Sequence, residues 1–119
     1  MGRDLDRIMA ALRTFAQERD WERFHSPKNL AMALSVEAAE LLEHFQWLTE
    51  AESRELDPSV RGRVSEEIAD VQIYLLTLAD KLQIDLVAAV DAKIDKNHSR
   101  YPIEEARGTA VRPPRDSEE

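Results

Sequence analysis

One pattern, written twice, constrains this chain more than any other feature. Leu30, Leu34, Glu37, Glu40, Leu41, His44, Phe45 and Leu48 correspond, thirty positions on, to Val60, Val64, Glu67, Asp70, Val71, Tyr74, Leu75 and Leu78, and Ser35 corresponds to Ser65. The apolar positions recur at helical spacing, so each copy reads as a helix with one face to bury. Each copy also carries two carboxylates three residues apart, Glu37 with Glu40 and Glu67 with Asp70. At about 100° per residue the members of a pair stand roughly 60° apart, the first near the middle of the apolar stripe and the second on its flank. A carboxylate on an apolar stripe costs free energy unless a cation, a metal or a proton compensates it. The pattern therefore asks what compensates Glu37.

The remaining signals give two more helices and no strand. Leu5, Ile8, Leu12 and Phe15 place a first helix over about residues 4–20. Ser26-Pro27 opens the second, with a hydroxyl cap followed by proline where a missing N–H does no harm. Its stripe runs on to Trp47 or Leu48. Asp57-Pro58 repeats the start signal for a third helix, ending near Leu82. Asp85 caps a fourth over Leu86–Arg100, and Tyr101-Pro102 stops it. No run alternates with period two for long enough to make a strand. The expected fold is all-α, a four-helix bundle with short loops. A chain of 119 residues suits one domain, here residues 1–108, and the polar, proline-containing stretch 109–119 reads as a flexible tail.

Composition removes several function classes. The net charge of -8 leaves no basic surface excess for a nucleic-acid polymer. It does not exclude a single nucleotide held through a metal ion. Without cysteine there is no disulfide, no thiolate zinc site and no thiol nucleophile. No segment reaches the length of apolar chain that spans a membrane, and the MGRDLDRIM start lacks a signal-peptide core. These features lead us to expect a soluble, cytoplasmic protein without a membrane partner.

Taken alone, either acidic pair is an ordinary solvated helix face. Two pairs, equally placed on neighbouring helices, bring four carboxylates together when the apolar stripes pack. Four such groups cannot all ionise without a cation. An all-oxygen set suits a hard ion, Mg²⁺ or Mn²⁺. Glu37, Glu40, Glu67 and Asp70 are thus the candidate metal ligands, and Glu43 and Glu66, which point further round, are internal controls. A di-iron site would need a histidine three residues after a carboxylate on two helices. His44 is four residues from Glu40, and Asp95-His98 is the only acid–histidine pair with the right spacing on an expected helix.

Helix four carries Lys93, Lys96, Asn97 and Arg100 at i, i+3, i+4 and i+7, one shared face. Such a stripe either complements the helix C-terminus or clamps a polyphosphate. Trp21 lies in a polar loop and Trp47 lies off the main stripe. They are either packing residues or flat surfaces for a nucleobase, with His25 or Asn29 reaching its edge. Tyr74, one turn after Asp70, can pack against a sugar or simply fill the core.

The residues EAAE (37–40) and EIAD (67–70), followed by K-x-x-x-N-x-x-R-Y-P (93–102), resemble the MazG-like all-α nucleoside triphosphate pyrophosphohydrolases. Within that family FAQERDWERFHSPKNLAMAL, FQW and DVQIYLLTLAD are most similar to its dCTP pyrophosphatase branch, and the resemblance spans about residues 8–108. The resemblance implies Mg²⁺-dependent cleavage between the α and β phosphates by a homodimer or homotetramer. It implies that Glu37, Glu40, Glu67 and Asp70 hold the metal and that Lys93, Asn97 and Arg100 contact phosphates. Trp21, His25 and Trp47 would line the base pocket, with Tyr74 at the sugar. Glu37 or Glu67 is the expected catalytic base. One position departs: Leu12 stands where dCTP-specific relatives can place a histidine. The resemblance implies dCTP or a modified dCTP as the substrate, and the departure at Leu12 leaves the choice of base open. The alternatives are dUTP or a broader set on the same fold, or a non-catalytic helical interaction module.

Overall fold

The computed structural model of the chain describes residues 2–111, and among these every element is helical. The order is α1 (Gly2–Glu18), a 3-10 turn (Glu22–Phe24), α2 (Pro27–Glu43), α3 (Glu50–Arg54), α4 (Pro58–Lys81), α5 (Leu86–Arg100) and α6 (Ile103–Ala106). The four long helices fall where the sequence places them. The short α3 and α6 are additions. Of the expected tail, residues 112–119 lie outside the described residues.

The chain forms two compact units that divide between Ile84 and Asp85. In the first, α2 packs along α4, and α1 makes a smaller contact with α4. Ala16 from α1, Leu30 from α2, and Val64, Leu76 and Ala79 from α4 form its buried core. The doubled pattern is visible in the burial. Every stripe position from Leu30 to Leu48 is partly or fully covered, and so is every counterpart from Val60 to Leu78. Larger apolar side chains on the same two helices stay exposed, among them Met32, Val36, Leu42 and Ile68. No helix among the described residues is long and apolar enough to cross a membrane.

The helix ends show how local chemistry sets the frame. Ser26 accepts the Asn29 backbone N–H at 3.1 Å, and Asp85 accepts that of Ala88 at 3.0 Å, as the capping signals require. Asp57 occupies the cap position of α4 without capping it, because its carboxylate accepts the Ser59 hydroxyl at 2.9 Å instead. The expectation that the second helix continues to Trp47 or Leu48 is corrected. Its ladder ends at Glu43, and the backbone then tightens, with the Phe45 N–H bonding to Leu42 O and that of Leu48 to Phe45 O, both at 2.9 Å. A new helix begins at once. Thr49 and Glu52 form a reciprocal capping box, the side chain of each accepting the other's backbone N–H.

Helices α1 and α4 end alike. Trp21 N–H bonds to Ala16 O (2.9 Å) and Asp20 N–H to Gln17 O (3.1 Å), while Ile84 N–H bonds to Ala79 O (2.9 Å) and Gln83 N–H to Asp80 O (3.1 Å). Both are Schellman ends. The left-handed position, which favours glycine, is taken by Asp20 (φ 53°) and Gln83 (φ 55°). In the second unit the Tyr101 N–H closes α5 on Asn97 O at 2.8 Å.

Candidate functional site

Packing α2 against α4 brings the first acid of one repeat against both acids of the other. Single carboxylate oxygens of Glu37, Glu67 and Asp70 all lie within 4.8 Å of one another, on partly buried side chains. Glu40 falls outside this trio, yet its carboxylate still acts on Glu37. Burial, together with the facing carboxylates of Glu67, Glu40 and Asp70, pushes the Glu37 carboxyl up to about 7. One oxygen each of Glu37 and Glu67 is shut off from water and has no hydrogen-bond partner. Shielded carboxylate oxygens without a hydrogen-bond partner are costly. They fit a hard divalent cation, which takes carboxylate oxygens as ligands. Glu43 and Glu66 are exposed, as controls should be.

A second group gathers where α1, the 3-10 turn and the last turns of α4 meet. Trp21 is 45% exposed, and the Phe15 ring meets it edge-on with centroids 5.5 Å apart. It is the residue just past a Schellman end, where an apolar contact back to the helix is usual. His25 is partly buried, and its Nδ1 is shielded without a partner. It lines a cavity of about 20 Å³ with Leu12, Arg13, Glu22 and Asp80. That is room for about one water molecule and too little for a nucleobase. The Asn29 amide donates to Phe24 O at 3.1 Å, so this side chain braces the loop.

Trp47 does not join this group. It follows the end of α2 and is 87% exposed. Trp21 and Trp47 therefore stand beyond opposite ends of α2, whose 17 residues span about 25 Å. Tyr74 is partly buried one turn after Asp70, at the position that His44 holds in the other repeat. Lys93 and Asn97 are exposed on α5, in the second unit. Arg100 is partly buried there, with its guanidinium 5.7 Å from the Tyr101 ring centroid.

The sequence reading missed Arg13 and Asp80. Arg13 Nε donates to Asp80 Oδ2 at 2.9 Å and Nη2 to Oδ1 at 2.6 Å, across 67 positions of chain. Arg13 holds the Asp80 carboxyl below its ordinary value. Asp80 closes the DVQIYLLTLAD stretch, but Arg13 lies outside every quoted motif, so nothing in the sequence marked the two as a pair.

The chain is similar to known proteins in sequence and in fold. The chain is 47% identical over 100 residues to dCTP pyrophosphatase 1 of Rattus norvegicus, covering 82% of this chain and 59% of that protein. It is 47% identical over 98 residues to dCTP pyrophosphatase 1 of Homo sapiens, covering 81% and 58%. The chain thus spans less than two thirds of the length of these relatives. The crystal structure of a pyrophosphatase from Archaeoglobus fulgidus matches it with a TM-score of 0.79 and 45% identity, covering 83% of this chain and 93% of that one. Residues 32–112, which begin just before the first acidic pair and include the second pair and α5, match the MazG-like family, and the chain belongs to that family.

Proposed function

We propose that this chain hydrolyses the α–β phosphoanhydride of dCTP or a modified dCTP, giving dCMP and pyrophosphate with the help of a divalent metal, and so cleans the nucleotide pool. The observation that carries this reading is the meeting of Glu37, Glu67 and Asp70, with shielded oxygens that lack a donor. The likeness to dCTP pyrophosphatases supplies the substrate. Glu37, Glu67 and Asp70, with Glu40 beside them, would hold Mg²⁺ or Mn²⁺, which when bound draws charge from the phosphate oxygens and eases ionisation of the attacking water. Glu37 or Glu67 takes the proton of that water as its oxygen attacks the α-phosphorus in line. The bond from the α-phosphorus to the bridging oxygen breaks, and pyrophosphate leaves.

In this reading Lys93, Asn97 and Arg100 neutralise the phosphates, Tyr74 packs on the sugar, and Trp21 and His25 meet the base. Asn29 supports them through its loop bond to Phe24. Trp47 follows α2 while Trp21 precedes it, and an exposed Trp47 could serve the base site of a second chain. The exposed Met32, Val36, Leu42 and Ile68 on α2 and α4 suit a homodimer or homotetramer. Residues 1–108 form the working unit, and the cytoplasm is its place of action.

Anion-exchange analysis of dCTP incubated with Mg²⁺ tests the reaction. Matched amounts of dCMP and pyrophosphate are expected. Production of dCDP and phosphate, or no turnover, overturns the proposal. Leu12, which stands where dCTP-specific relatives can place a histidine, favours a second reading, a broader choice of base. Comparable rates on dCTP and dUTP support that breadth, and a strong preference for dCTP removes it.

A further inference from the structure

Helix α1 is held to the rest of its unit by a small contact with α4, and the best-defined part of that contact is the Arg13–Asp80 pair. A two-point guanidinium–carboxylate pair fixes direction as well as distance. The side chains are 52% and 27% exposed, so the pair adds little global stability. What it adds is geometry. Phe15 and Ala16 follow Arg13 within one turn. The buried Ala16 accepts the Trp21 N–H at 2.9 Å, and the Phe15 ring abuts the indole. Trp21 leads into the 3-10 turn, where Glu22 O accepts the His25 N–H at 3.1 Å. His25 returns to the same cavity wall as Arg13 and Asp80. On the other side, α4 runs unbroken from Glu67 and Asp70 to Asp80. The ten residues from Asp70 to Asp80 rise about 15 Å.

We infer that Arg13 and Asp80 are positioning residues, which set Trp21 and His25 at a fixed place relative to the carboxylates on α4. The inference rests on the reading that Trp21 and His25 meet the base. The pair touches no reacting atom in that scheme. It acts on how well the nucleoside is held, not on the chemical step. Arg13 keeps the Asp80 carboxyl below its ordinary range, so the pair stays charged at neutral pH.

The test is steady-state kinetics of the full chain on dCTP with Mg²⁺, well below the Tm of every variant. Arg13→Ala and Asp80→Asn are expected to raise KM roughly tenfold and to leave kcat within about twofold. Arg13→Lys keeps the charge but loses the fork, so it shifts KM in the same direction by less. Asp80→Asn changes little in size and keeps the test valid should Arg13→Ala fold poorly. An unchanged KM with only a lowered Tm makes the pair purely structural and overturns the inference. A fall in kcat with unchanged KM overturns it too. Failure of the wild-type chain to hydrolyse dCTP is a different signature, which removes the nucleotide reading and this inference with it.

Discussion

Helices α2 and α4 begin as copies and end as different devices. Both carry the apolar stripe with its two acids, and both bury the same positions of it. After that, α2 stops at Glu43, six residues past Glu37, while α4 continues to Lys81, fourteen past Glu67. The shared part builds the carboxylate centre, because two like stripes packed together must bring their acids face to face. The extension of α4 carries Asp80, the anchor for α1 and so for Trp21 and His25. The repeated pattern thus carries the proposed chemistry, and the unrepeated turns carry how a substrate would be placed against it.

The largest expected effect tests the shared part. Glu37→Ala or Asp70→Ala should lower dCTP turnover by roughly 10²-fold or more with helical circular dichroism unchanged. Glu43→Ala and Glu66→Ala, both at exposed positions, should stay within about twofold of wild type. Equal losses from all four would mean that the acids act only through bulk charge.

The next effect is on stability. Glu37 titrates at about 7 in the fold against an ordinary value of 4.5. Below pH 4.5 both states hold the proton. Between about 4.5 and 7 the unfolded chain releases it while the folded chain keeps it, so Glu37 withdraws stability as pH rises through that window. The Tm of metal-free protein should therefore carry a falling component from pH 5 to 7.5. Glu37→Gln should flatten it, and Mg²⁺ should reverse it. A pH profile identical in wild type and Glu37→Gln contradicts the assignment.

Smaller effects probe where the two helices part. Thr49→Ala removes the capping box behind the end of α2 and should cost about 1 kcal/mol in urea unfolding. At the end of α4, Gln83→Gly should gain about 0.5–1 kcal/mol by relieving a left-handed side chain. Asp20→Gly should gain less, since aspartate tolerates that conformation and here pairs with Arg23 at 3.4 Å.

The legible parts were those written in local pattern. The repeat foretold which faces of α2 and α4 meet, and Ser26-Pro27 and Asp85 foretold where helices start. The end of α2 was missed because Phe45 and Leu48 continue its stripe, although Thr49-x-x-Glu52 announced a new helix. Glu40 was grouped with the other acids by spacing alone, whereas the closest trio in space is Glu37, Glu67 and Asp70. Arg13 and Asp80 were illegible because nothing local marks a pair 67 positions apart.

The central claim is that the two repeats meet to hold a divalent cation, and a calorimetric titration of Mg²⁺ into metal-free protein near pH 7 tests it most directly. Burial and the neighbouring carboxylates push the Glu37 carboxyl up to about 7, so it is partly protonated there, and the cation must displace that proton. Saturable binding is expected, with a heat that depends on the buffer's ionisation enthalpy, and with loss of binding in Asp70→Ala. No binding to the wild-type chain, or equal binding in Asp70→Ala, would contradict it.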